Sequence, residues 1–238
     1  MELQILTNYA EMSQAAAATI LAAIERNPQL LLCLATGETP KGTYEALASL
    51  CSERPSAVSQ IRAVKLDEWS GMLMTDPGSC EVYLQERVIR PLAISPDRYM
   101  GFTSDASNPT AECQRISKWL KLNGRIDLCI LGLGANGHLG LNEPGSILLP
   151  EAHQTTLESS TRRHSMLEIA QSMPSRGLTL GMAEILQSRE IILLVSGTQK
   201  KQQLKRLLIK EISTQFPASL LWLHPRTTII CDTDAMSP

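Results

Sequence analysis

Three segments of the 238-residue chain bring together residue types that can do chemistry. The first is Ala35-Thr36-Gly37-Glu38-Thr39-Pro40-Lys41, a short loop between a buried strand and a helix start. Backbone N–H groups at a helix start attract anions, and Thr36 and Thr39 add hydroxyl donors, so the loop fits a phosphate cradle. The G-x-x-x-x-G-K-[ST] spacing of a nucleotide loop is absent, and a simple helix cap is an equally good reading of these residues alone. The second segment, Val64-Lys65-Leu66-Asp67-Glu68-Trp69, puts two carboxylates directly after a strand. Neighbours at a strand end face opposite ways, so one of the two enters a ligand crevice while the other pairs structurally. A carboxylate partly withdrawn from water there holds its proton more tightly and can act as a general base. A solvated acidic turn is the competing reading.

The third segment is the most informative. Leu131-Gly132-Leu133-Gly134-Ala135-Asn136-Gly137-His138-Leu139-Gly140-Leu141-Asn142-Glu143-Pro144 follows a buried strand and is dense in glycine, the mark of a loop whose backbone approaches a ligand closely. It holds Asn136, His138 and Glu143. An imidazole beside a carboxylate can shuttle protons at neutral pH, with the carboxylate fixing its tautomer. The Gly132-x-Gly134-x-x-Gly137 spacing does not signal a dinucleotide, because Asn-Glu-Pro follows it rather than a continuous helix. The histidines at 138, 153, 164 and 224 form no metal-binding pair, and no GxSxG elbow is present, so no metal is expected.

The elements that must position these segments alternate between apolar runs and amphipathic stretches. Leu30–Ala35, Ile61–Leu66, Ile126–Leu133, Ile191–Val195 and Thr227–Cys231 read as strands; 9–26, 40–51, 80–89, 108–122 and 199–210 read as helices. This predicts an α/β fold: a doubly wound, mainly parallel, Rossmann-like sheet with helices on both faces. No linker divides the chain, so 1–238 is expected to be one domain. The polar, Ser/Thr-rich and weakly periodic segment 145–175 is expected to be a mobile lid. Hydrophobic residues make up 43% and charged residues 19%, which excludes disorder; a net charge of −2 and 4% aromatics argue against nucleic acid. Six scattered cysteines, no basic leader and no apolar run near ~20 residues predict a reduced, cytoplasmic protein with no membrane partner.

Taken together, the segments resemble the glucosamine-6-phosphate deaminase/isomerase family, and within it the galactosamine-6-phosphate isomerase branch. The likeness continues through Leu178-Thr179-Leu180-Gly181 and Gly197-Thr198-Gln199-Lys200 to Leu223-His224-Pro225 and Ile230-Cys231-Asp232, covering nearly the whole chain. It implies conversion of an open-chain amino sugar phosphate to a ketose 6-phosphate with loss of ammonia, without cofactors. Asp67 would move the C1/C2 proton, and His138, supported by Glu143 and Asn136, would open the pyranose ring. The resemblance sets the substrate against Thr36, Gly37, Thr39 and Gly132, with Lys200 and Arg176 as cationic clamps for the phosphate. Trp69 after Asp-Glu, and Asn136-Gly-His-Leu-Gly-Leu, resemble the galactosamine branch. The expected partner is therefore a small amino sugar phosphate; a homo-oligomer is compatible with the sequence, which leaves the assembly open.

The alternatives differ in reaction class. A glucosamine-6-phosphate deaminase would share every residue above. A 6-phosphogluconolactonase shares the first loop, but its Asp-Gly-His followed by Phe-Pro-Gly is replaced here by Asn-Gly-His and Asn-Glu-Pro. A sugar-phosphate sensor domain of the DeoR type would not need Asp67, His138 and Glu143 together. Two departures from the family matter: Asn136 stands where some members carry Asp, and Glu38 stands where the family has a second glycine.

Overall fold

The computed structural model describes residues 1–236; positions 237 and 238, the end of the expected domain, lie outside the described residues. In chain order the elements are β1 (Glu2–Leu6), α1 (Tyr9–Arg26), β2 (Leu31–Leu34), α2 (Glu38–Ser52), β3 (Arg62–Lys65), β4 (Asp67–Ser70) and α3 (Cys80–Leu84). Then come β5 (Tyr99–Met100), α4 (Pro109–Asn123), β6 (Leu128–Gly132), β7 (His153–Thr156), β8 (Arg176–Thr179) and α5 (Met182–Leu186). The chain closes with β9 (Glu190–Val195), α6 (Lys201–Leu208), β10 (Thr227–Asp232) and α7 (Thr233–Met236).

Seven strands form an all-parallel sheet in the order β1-β10-β9-β6-β2-β3-β5. Successive residues of its central strands bury on opposite faces, which is why the runs are uniformly apolar. Leu32, Leu34, Ile130, Ile192 and Leu194 pack under α1 and α2, while Leu31, Cys33, Cys129, Leu131, Leu193 and Val195 pack under α4 and α6. The helix starts follow local chemistry. Asn8 accepts the Glu11 amide at 2.9 Å to cap α1, and Asn108 accepts the Ala111 amide at 3.0 Å with Pro109 opening α4. No described helix is long and apolar enough to cross a membrane.

The chain runs outward from β2 to β3 and β5, then returns to the other side of β2 with β6. The loops after β2 and β6 therefore diverge at their carboxyl ends, the place where ligands bind in such sheets. Sequence patterning did not reveal β1, β5 or a second, antiparallel sheet in the order β4-β8-β7. Its strands are four residues long and only partly apolar, so pairing rather than periodicity defines them. Segment 145–175 contains β7 of this sheet and two short 3-10 turns, and it buries Leu157, Met166 and Leu167.

Candidate active site

A cavity of about 410 Å³ opens where the β2 and β6 loops diverge. Thr36, Gly37, Thr39, Asp67, Gly132, His138 and Lys200 line it, so seven of the ten candidates meet there although they come from segments up to 164 positions apart (36 to 200). Trp69, Cys80, Thr161, Arg163, His164 and Gln199 complete much of the wall.

The adjacent carboxylates divide their work as strand alternation requires. Glu68 turns away from the cavity and is fully buried. Its oxygens accept the backbone amides of Trp69 (2.8 Å), Cys80 (3.0 Å) and Glu81 (2.9 Å), the last two at the start of α3. They also accept the ammonium of Lys65 at 2.8 Å, and Lys65 reaches Glu81 at 2.8 Å as well. Burial works against the Lys65 charge, but these two carboxylates outweigh it and hold the ammonium above its ordinary range. Replacing Glu68 with Ala would strand a buried ammonium on one partner and leave three amides without an acceptor. Urea unfolding is expected to register a loss of about 3–5 kcal/mol.

Asp67 faces the cavity with nothing comparable to satisfy it. Burial, reinforced by the negative charge of Glu68 and only partly offset by Lys65, raises its carboxyl to about 7. Such a group exchanges a proton readily at neutral pH.

His138 lies on the glycine loop. Its Nδ1 sits 3.4 Å from Glu143 Oε2 and 3.3 Å from the Thr161 hydroxyl, and its amide donates to Asn136 Oδ1 at 3.1 Å. Asn136 Nδ2 donates to the same Glu143 oxygen at 2.8 Å, and the Glu158 amide donates to the other at 3.2 Å. Burial would raise Glu143, but His138, Thr161 and Asn136 overcome this and hold its carboxyl down to about 2. Glu143 and Asn136 therefore stand behind the imidazole rather than on the cavity wall. The histidine needs Gly134 as its neighbour, because a Cβ there would come within 2.3 Å of the ring.

The opposite pole of the cavity suits an anion. Gly37 precedes α2 at φ +110°, a region open to glycine, and it offers no side chain to cap the first-turn amides. The Thr36 hydroxyl is engaged with Cys80 Sγ at 3.3 Å rather than with the helix, which argues against the simple cap reading of the loop. The loop is pinned by Tyr44, which donates to Ala35 O at 2.8 Å, and Tyr83, which donates to Gly37 O at 2.7 Å. Lys200 ends a 3-10 turn whose Gly197 amide donates to Asp232 at 3.1 Å. Half-buried, it pairs with no carboxylate among the described residues, and burial lowers its ammonium below the ordinary range. An anion would neutralise it.

Arg176 is not brought to this pole, which corrects the expectation of a clamp there. It is exposed at the start of β8, where its guanidinium donates to Gln154 Oε1 at 3.3 Å. Asp67 pairs with Thr179 in the antiparallel register, so Arg176, three residues earlier, lies about 10 Å away along the strand. The arginine on the cavity wall is Arg163, and beside it is His164. No sequence pattern singles either out, since the Arg162-Arg163 pair looks like any exposed basic turn until the chain folds back. Among the described residues, no group of three or more His, Cys, Asp or Glu side chains could hold a metal ion.

Comparison with known proteins follows the same geometry. The chain is 44% identical over 229 residues to the AgaI protein of Escherichia coli (strain K12), provisionally named a deaminase, covering 96% of this chain and 90% of that one. It is 37% identical to glucosamine-6-phosphate deaminase 1 of Bacillus subtilis (strain 168), with 96% of each covered. The solved structure of a monomeric glucosamine-6-phosphate deaminase superposes with a TM-score of 0.95 at 36% identity, covering 100% of this chain and 99% of that one. A 6-phosphogluconolactonase of Trypanosoma brucei shares the fold at a TM-score of 0.78 and 21% identity, over 98% of this chain and 97% of that one. Residues 7–230 match the family described as glucosamine-6-phosphate isomerases/6-phosphogluconolactonase, and the chain belongs to that family.

Proposed function

We propose that the protein converts a hexosamine 6-phosphate, with galactosamine 6-phosphate preferred, to the ketose 6-phosphate and ammonia. The observation that carries this reading is a single cavity lined by a carboxyl near neutrality, a glutamate-backed imidazole and a lysine with no carboxylate partner among the described residues. In this reading the phosphate rests on Thr36, Gly37, Thr39 and Lys200, and Gly132 leaves room for the sugar. His138 passes a proton to the ring oxygen and takes one from the C1 hydroxyl, opening the pyranose. Asp67 then removes the C2 proton and returns one to C1, while a proton passes from the amino nitrogen to O1. The resulting C2 imine is hydrolysed by water to the ketone and ammonia. Glu143 and Asn136 orient the imidazole and take no proton themselves. Segment 145–175 carries Thr161, Arg163 and His164 to the cavity wall and acts as the lid.

The galacto preference is supported by Trp69, whose indole lines the cavity and is fixed by donating to Gly78 O at 3.1 Å. Discrimination of one hydroxyl rests on the hydrogen bonds made or lost at C4. Ammonia release measured in parallel on galactosamine 6-phosphate and glucosamine 6-phosphate, with 6-phosphogluconolactone hydrolysis as control, tests the reading. The galacto substrate is expected to have the higher kcat/KM. A higher value for the gluco substrate would overturn the epimer preference, and lactone hydrolysis without ammonia release would overturn the reaction class.

A pH profile follows from Asp67. A base works only when ionised, so kcat/KM, which reports the free enzyme, is expected to rise tenfold per pH unit below about 7 and level off above it. A profile flat from pH 5 to 8 would remove Asp67 from that role.

A further inference from the structure

His164 lies on the cavity wall beside the first loop, in a well-defined place. Its ring stacks at a tilt on Trp69, with centroids 5.8 Å apart. Nδ1 accepts the Met166 amide at 3.3 Å, which leaves the neutral ring with its proton on Nε2. That Nε2 points at the phosphate loop: a Cβ built on Gly37 would lie 3.2 Å from it. The ring meets Gly37 on the first loop and Trp69 on β4 and lies within reach of the charges of His138 and Lys200, while Glu38, Asp67, Cys80 and Arg163 line the same cavity.

We propose that His164 is a binding residue for the substrate phosphate, donating a hydrogen bond from Nε2–H to the dianion seated over Gly37 while the ring stays neutral. This rests on the phosphate pole of the proposed function. Neutrality has two structural causes. The Met166 amide occupies the only lone pair that protonation could use, and burial together with the nearby charges of His138 and Lys200 lowers the ring to about 4. The donor is therefore present, in one tautomer, throughout the range in which Asp67 changes charge. Lys200 supplies the point charge and His164 the direction, which lets the cradle hold a dianion without a second buried cation. Gly37 is required twice over, for its positive φ and because any side chain would fill the gap between the loop amides and Nε2.

The test uses sulfate, a dianion whose charge does not change between pH 5.5 and 8, and the intact protein. Nitrogen NMR of the four histidines is expected to find His164 as the Nε2–H tautomer at both pH values, with its Nε2 resonance shifted on adding sulfate and its ring still neutral. His164→Phe keeps a ring against Trp69 but removes the donor. Sulfate and galactosamine 6-phosphate are expected to bind that variant about tenfold more weakly, whereas His164→Gln, which restores an N–H donor, recovers part of the loss. Unchanged His164 resonances with sulfate, or a His164→Phe variant that binds as tightly as the original, would overturn the proposal. The NMR readout needs no variant to fold and no turnover. A sulfate-induced shift in a protein that releases no ammonia would retain this site and reject only the proposed reaction.

Discussion

Asp67→Asn is expected to abolish ammonia release, lowering kcat by at least ~10³-fold, while sugar phosphate binding stays within a fewfold of the original. The asparagine keeps the size and the hydrogen-bonding outline of the carboxyl but cannot take the C2 proton. Stability is expected to move the other way. In the folded chain Asp67 is raised to about 7 from an ordinary value near 3.8, so its proton-linked stability is complete below the ordinary value and is lost as pH rises through about 7. At pH 8 the buried carboxylate therefore costs up to about 4 kcal/mol, and the neutral amide removes most of that cost. The variant is expected to unfold at higher urea concentration than the original at pH 8, with the gap closing toward pH 4. A dead enzyme that is also less stable at pH 8 would mean that Asp67 is held by contacts and not strained by burial.

His138→Gln is expected to lower kcat by about 10²–10⁴-fold without reaching zero. Loss of the imidazole removes catalysed ring opening, but Asp67 can still process sugar that opens in solution. Spontaneous opening is itself accelerated by buffer acids and bases. The residual rate of the variant is therefore expected to rise with buffer concentration at fixed pH and ionic strength, whereas the original enzyme is expected to be insensitive. The Glu143 carboxyl, held near 2 largely by the imidazole, loses that partner in the variant and is expected to titrate at higher pH. A residual rate indifferent to buffer would place the function of His138 after ring opening.

The two variants probe residues that the amino-acid sequence makes visible for different reasons. Asp67 follows a strand, and alternation alone says that either it or Glu68 enters the crevice. The structure decides in favour of Asp67, because Glu68 has three amides and an ammonium to bind on the far side. His138 stands out because glycine density around it has no use in a regular element. The anion pole was legible only in its loop and its lysine. Arg176 and Arg163 look alike in one dimension, and the antiparallel register of β4, β8 and β7 carries one away while the following turns bring the other in.

The order of residues alone dictates the parallel sheet and the three loops at its carboxyl ends, since strands covered on both faces need unbroken apolar runs and the turns beside a ligand need glycine. It also divides Asp67 and Glu68 between two sides. Folding in three dimensions adds that burial raises the Asp67 carboxyl to about 7, that Glu143 and Thr161 share one nitrogen of His138, and that Arg163 and His164 join the cavity wall. Burial and charge at a site depend on everything packed within a few ångströms of it. Here those neighbours come from positions as far apart as Thr36 and Lys200, which no local pattern can bring together.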